Sequence, residues 1–193
     1  MSRSNEIIRV EATIRKVTLA VCYALLKCGG TLPQSLFEVA GELVPLLCSH
    51  LDDNDLSSRH MACLCINMIL ERLKGAFSDQ AVSELYPKLL KRLDDSHDLI
   101  RIAICSTLQS FFQCAPKCNY SSTLLDYSLD QLFVHLDDSD RLIQEAAYSV
   151  IISISEINKD LALKKAEKNR HNLRDVSLLD KLLGDIQGFQ ILN

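Results

Sequence analysis

The tripeptide Leu-Asp-Asp returns at Leu51–Asp53, Leu93–Asp95 and Leu136–Asp138, at intervals of 42 and 43 residues. A period of this length belongs to a supersecondary unit that cannot bury its apolar face alone and must stack on copies of itself. The similarity runs beyond the tripeptide. Leu43-Val44-Pro45-Leu46-Leu47 precedes the first copy, and Leu85-Tyr86-Pro87-Lys88-Leu89-Leu90 precedes the second, with the prolines again 42 residues apart. The third copy has Leu129, Leu132, Phe133 and Val134 there, with Asp130 in place of proline. At one fixed distance beyond each Leu stand Ser58-Arg59, Ile100-Arg101 and Ile143-Gln144.

Apolar stripes flank each turn. Ile100, Ile104, Leu108, Phe111 and Phe112 follow the second tripeptide; Ala62, Ile66, Ile69 and Leu70 follow the first, and Ile143, Ala147, Ile151 and Ile154 the third. Such steps of three and four residues put side chains on one helix face. Each unit therefore reads as a helix over about 35–51, 79–93 or 122–136, an Asp-rich turn, and a second helix over about 56–74, 97–114 or 140–157. Gly29-Gly30, Pro33, Gly75 and Pro116 punctuate the units, as residues that end helices. The expected fold is all-α, an α-solenoid of HEAT/armadillo-like antiparallel helical hairpins. Its units are a partial repeat over 1–30, repeats over 31–75, 76–116 and 117–157, and a basic segment with a capping helix over 158–193.

The two ends carry separate expectations. Val10, Ile14, Val17, Val21 and Leu25 mark a helix over 6–28 that should pack on the helices of 35–74, and Ile8-Arg9 resembles the Ile-Arg start of a second helix. With no first helix before it, the chain is expected to be part of a longer protein whose upstream repeats are missing, and to associate through this face when isolated. At the other end Leu178, Leu179, Leu182, Leu183 and Ile186 form an amphipathic cap.

Composition narrows the function classes. The net charge of −4 argues against a duplex-binding surface. No apolar run approaches a membrane span and Met1–Asn5 open no secretory leader, so the chain reads as cytoplasmic. The eight cysteines, Cys22, Cys28, Cys48, Cys63, Cys65, Cys105, Cys114 and Cys118, fall mostly in apolar helical stretches and read as reduced, buried or half-buried thiols.

Chemistry has few candidates. The paired carboxylates Asp52/Asp53, Asp94/Asp95 and Asp137/Asp138 recur at helix starts, where a carboxylate accepts free helix N–H groups. They are read as structural, with Arg59 and Arg101 placed to bond neighbouring Asp groups along the stack and Gln144 breaking that series. Cys63-x-Cys65, Cys114-x3-Cys118 and the scattered His50, His60, His97, His135 and His171 do not make zinc-ligand spacing. No nucleophile elbow, dinucleotide fingerprint or P-loop occurs. Neither catalytic residue, metal nor cofactor is expected. Lys159–Arg174 is basic; within it Lys164, Lys165, Lys168, Arg170 and Arg174 form a candidate patch for an acidic protein partner, although a solvated helix face gives the same composition.

Tyr86-Pro87-Lys88-Leu89-Leu90-Lys91-Arg92-Leu93-Asp94-Asp95, and Val134-His135-Leu136-Asp137-Asp138 with Ile143-Gln144 and Ala146, resemble the HEAT-repeat dynein axonemal assembly factors in order and spacing, near the C-terminus of those proteins. The resemblance covers most of 38–157, and the loop over 115–123 departs from it. It implies a non-catalytic scaffold that helps preassemble dynein arms in the cytoplasm, with dynein chains, chaperones or co-chaperones as partners and no membrane or nucleic acid. The alternative is another HEAT adaptor of the transport-receptor or phosphatase-scaffold type, or the regulatory subunit of an enzyme. A scaffold should present a concave groove without a pocket of converging titratable groups.

Overall fold

A computed structural model describes the backbone of residues 3–28 and 33–188. Its elements, in order, are α1 (Arg3–Cys28), α2 (Pro33–His50), α3 (Leu56–Arg72), α4 (Asp79–Leu90), α5 (Asp98–Phe111), α6 (Ser122–Leu136), α7 (Arg141–Ile157), α8 (Lys159–Asn169) and α9 (Val176–Gly188), with 3-10 turns at Lys91–Asp94 and Lys117–Asn119. No strand occurs among the described residues. The expected all-α solenoid is the observed fold. Two layers run along it: α1, α3, α5, α7 and α9 stack in one, and α4, α6 and α8 in the other. The hairpins α2–α3, α4–α5, α6–α7 and α8–α9 join the layers.

Local chemistry sets the boundaries. Asp55, Ser78, Ser121, Asp140 and Asn158 cap helix N-termini by accepting a backbone N–H in their side chains. Pro87 sits inside α4 and withholds a backbone donor, and the chain tightens into the 3-10 turn four residues later. Gly75, at φ 77°, takes the left-handed conformation that turns the chain out of α3 toward α4, a conformation costly for any residue with a Cβ.

One continuous core runs along the stack. The three tripeptide leucines, Leu51, Leu93 and Leu136, are all buried in it. So are Ile66, Ile69 and Leu70 of α3, Ile104, Leu108 and Phe111 of α5, and Ala147, Ile151 and Ile154 of α7. The 115–123 loop closes around Tyr120, whose ring meets Phe111 edge-on at 5.7 Å and whose hydroxyl donates to the Phe111 carbonyl and accepts from Ala115 N–H at 3.2 Å. Asn119 donates to the Phe77 carbonyl one unit earlier at 3.0 Å, so successive inter-unit loops are tied together.

Two expectations about the ends are corrected. Val10, Ile14, Val17, Val21 and Leu25 do not pack on 35–74; they are 52–68% exposed on the side of α1 away from α3. The inner face is made by Leu19 and Leu26, with Cys22 and Tyr23 packed beside them. A helix stacked between two others of its layer has an apolar face toward each neighbour, so helical periodicity finds a stripe without saying which neighbour it serves. At the other end, the basic segment after 158 contains a helix of its own, α8, packed on α6 and α7. Ile8-Arg9 lies outside the residues whose side chains are described.

Candidate functional site

The turn aspartates repeat in every unit, and their two positions do different work. The second Asp folds its own turn: Asp53, Asp95 and Asp138 accept the amides of Asp55 at 2.8 Å, His97 at 3.1 Å and Asp140 at 2.9 Å. Each is thus an Asx-turn residue, and the cap falls two residues on, at Asp55 and Asp140. At the middle turn His97 holds the cap position without a side-chain capping bond, its ring Nδ1 lying instead 3.2 Å from Arg59 and 2.9 Å from the Ser96 hydroxyl. The same second Asp also receives an arginine from the preceding unit. Arg15 reaches Asp53 at 2.9 Å; Arg59 grips Asp95 with two bonds, at 2.9 and 3.0 Å; Arg101 bonds Asp138. Arg59 donates as well to the Asp53 and Asn54 carbonyls of its own turn, at 2.9 and 3.2 Å. Gln144, at the same register, keeps the own-turn bond, to the Asp138 carbonyl at 2.7 Å, but has no second arm to send onward.

The first Asp faces the following unit. Asp52 pairs with Lys91 at 2.8 Å and Arg92 at 3.0 Å, and Asp94 stands 3.5 Å from His135. Asp137 accepts the backbone N–H of Arg174 at 2.8 Å and its guanidinium at 3.0 Å, which closes the series after Gln144. Leu-Asp-Asp is therefore a two-way connector: an apolar anchor, a carboxylate facing forward and a carboxylate facing back.

Electrostatics grade the rungs. Asp95 is buried, which raises its carboxyl, but the Arg59 bonds, the His97 amide and the nearby Arg92 charge outweigh this and hold it below the ordinary value. Asp138 is shifted the same way by the Asp140 amide and Arg101 against its burial. His135 is buried, and loss of hydration, opposed by Asp94, keeps its imidazole below its usual range. These carboxylates are engaged as acceptors of fixed donors and serve as positioning charges.

The basic patch is dispersed. Lys165 is buried, its ammonium held by Asp126 at 2.9 Å and Asp130 at 2.7 Å of α6. Arg170 pairs with Glu167 and Asp180, and Arg174 with Asp137. Only Lys164 and Lys168 stand exposed without a described ion pair.

Other reactive types are subdued. Cys48 and Cys114 are pushed up to about 11, and Cys63, Cys65 and Cys105 to about 12, burial being the first cause in each, so these thiols stay protonated at neutral pH. All eight cysteines are free, but Cys28 and Cys118 depart from the expected burial and are exposed, one at the last residue of α1 and the other in the loop before α6. No group of three or more potential metal ligands occurs among the described residues. No described helix is long and apolar enough to cross a membrane. Along α5, α7 and α9 runs an open groove, where Tyr148 donates to Asp185, and Lys181 lies 5.3 Å from the Tyr148 ring centroid.

The missed rung is Arg15. It precedes Arg59 by 44 residues, against 42 from Arg59 to Arg101, and it follows Ile14 as Arg101 follows Ile100. Ile14-Arg15 carries the signal, and Ile8-Arg9, six residues earlier in the same helix, repeats the pair at a different register.

Stacked hairpins joined by carboxylate–guanidinium rungs define an all-α solenoid of the HEAT/armadillo-like class. An engineered protein known from its crystal structure shares the fold, with a TM-score of 0.61 at 13% identity over 89% of this chain and 72% of that one. No family model matches. Among curated proteins the chain is similar to Dynein axonemal assembly factor 5 of Homo sapiens, 30% identical over 182 residues, which are 93% of this chain and 21% of that protein. It is also similar to the Xenopus laevis protein of that name, at 29% identity over 185 residues. The likeness read from two segments extends over nearly the whole chain, and the chain spans about a fifth of the length of these relatives.

Proposed function

We propose that this chain is a non-catalytic scaffold that holds protein partners while axonemal dynein arms are preassembled in the cytoplasm. The observation that carries the reading is the similarity to Dynein axonemal assembly factor 5 over 93% of the chain. The physical features agree with it. The conspicuous carboxylates are engaged in holding hairpins together, and the most buried thiols are poor nucleophiles. Dynein chains and the chaperones or co-chaperones that fold them are the proposed partners, taken up on the surfaces the rungs hold in register.

The test is depletion in ciliated cells, with rescue by the intact protein or by a version lacking 33–188. Electron microscopy of axoneme cross-sections and immunoprecipitation of cytoplasmic dynein heavy and intermediate chains are the readouts. Depletion is expected to remove dynein arms and leave heavy chains unassembled in the cytoplasm, and the truncated version is expected not to rescue. Arms of normal number after depletion would overturn the assignment.

A further inference from the structure

Between α2 and α4, and closed at one end by the loop before α4, lies an apolar cleft of about 390 Å3. That is within the range that holds a ligand or a pair of anchoring side chains. Its α2 wall is Ala40, Gly41, Val44 and Cys48; its opposite wall is Phe77, Ala81 and Leu85. Three charged side chains, Glu38, Glu84 and Lys88, stand exposed at its rim.

The repeat register explains why the cleft is here. Aligned on Pro45 and Pro87, the four α2 positions correspond to Val82, Ser83, Tyr86 and Leu90 of α4. There Val82 and Leu90 are buried, Tyr86 is packed on the core, and α4 meets α6. In α6 the apolar three of these positions become Leu125, Leu129 and Phe133, all buried, and α6 meets α8. Three helices use one register; α4 and α6 fill it with large side chains, and α2 carries small ones. A Cβ added at Gly41 would meet nothing within 4 Å, so the space is open rather than tightly wedged.

The molecule also shows what an acidic rim on this layer takes up. At the α6/α8 junction the helix laid against α6 contributes the small Ala162 and Ala166, and it sends Lys165 between Asp126 and Asp130. At the α2/α4 cleft Glu38 and Glu84 stand on facing walls, against one lysine.

We propose that the α2/α4 cleft is a docking site for a short amphipathic helix of a protein partner, which inserts an aromatic and an aliphatic side chain and places a lysine or arginine at Glu38 and Glu84. The proposal rests on the scaffold reading and not on the dynein assignment. Anchors of this kind concentrate binding energy in a small, desolvated pocket, with the charges at the rim setting partner choice.

The experiment uses the intact chain and two synthetic helical peptides, each with a tyrosine and a leucine four residues apart, one flanked by lysines and its twin by glutamates. Fluorescence anisotropy is expected to show the lysine peptide bound at least tenfold more tightly than its twin. Glu38→Lys with Glu84→Lys, on the exposed rim, is expected to abolish or reverse that order. Grafting the α4 residues onto α2 (Ala40→Val, Gly41→Ser, Val44→Tyr, Cys48→Leu) is expected to weaken binding at least tenfold while raising Tm; Val44→Tyr alone serves if the graft does not fold. Binding of neither peptide, equal binding of both, or binding unchanged by filling the cleft would overturn the proposal. Because the assay contains no dynein, its failure leaves the cellular assignment standing, and failure of that assignment leaves the peptide result standing.

Discussion

The two ends of the α1–α3–α5–α7–α9 layer are finished in opposite ways. At the α9 end, Leu179, Leu182, Leu183 and Ile186 are buried against α7 and α8. At the α1 end, Ile14, Val21 and Leu25 are more than half exposed, although the same register in α5 holds Ile100, Thr107 and Phe111 with no more than trace exposure. Residue type does not separate these cases, since Ile14 and Ile100 are both isoleucines following the same logic of position. The presence of a helix on the preceding side separates them. In a solenoid, burial belongs to the interface between units and not to the unit, so stability adds along the stack and an apolar face stays exposed where no described helix covers it.

The polar rungs show the same gradient. Arg59–Asp95, in the middle, is buried on both sides, with side-chain exposures of 8% and 3%. Arg15–Asp53, at the open end, leaves its arginine 37% exposed. The comparison breaks if these two rungs prove equal. Arg59→Ala leaves the buried Asp95 carboxylate to the His97 amide and Arg92 alone and is expected to cost about 3 kcal/mol, the lower end of the penalty for breaking a buried pair. Arg15→Ala is expected to cost about 1 kcal/mol or less, as for exposed pairs. Urea denaturation of both variants checks the ratio.

Apolar truncation sharpens the contrast at the ends. Leu182→Ala, at the covered end, is expected to cost about 2–5 kcal/mol through lost burial and a cavity. Leu25→Ala, on the exposed stripe, is expected to change stability by no more than about 0.5 kcal/mol. Similar losses in thermal melts would contradict the assignment of inner and outer faces. Within one turn, Asp94→Ala should likewise stay within about 0.5 kcal/mol, because Asp94 is exposed.

A smaller effect comes from pH. His135 has a folded pKa below its unfolded value, so the unfolded chain binds the proton more readily. Stability is then full above the unfolded pKa of about 6.5 and declines as pH falls below it. Asp95 and Asp138 are also depressed, and their contribution is lost only below the unfolded carboxylate value of about 3.9. His135→Gln should flatten the loss between pH 7 and 5 and leave the acid limb in place, as measured by Tm against pH.

Much of the fold was legible because it was written three times. The 42–43 residue interval and the stripes after Leu51, Leu93 and Leu136 locate the central hairpins to within a few residues. What was not legible has particular causes. Arg15 precedes any tripeptide, so no motif fixes its register. The stripe on α1 is helical whichever side it faces. Lys165 reads as a solvated base, because only the tertiary fold brings Asp126 and Asp130 to it. The cleft at α2 is marked in sequence only by small residues standing where α4 and α6 have large ones, a signal visible once the helices are placed in register.

The most direct test of this account is sedimentation equilibrium of the chain at about 100 μM, beside Ile14→Lys/Leu25→Lys. Val10, Ile14, Val17, Val21 and Leu25 form an exposed apolar stripe, which favours association by about 25 cal/mol for each Å2 it buries. The account predicts concentration-dependent association of the wild-type chain, abolished by the two lysines without loss of Tm. A wild-type monomer at that concentration, with α1 ordered by hydrogen exchange, would contradict it.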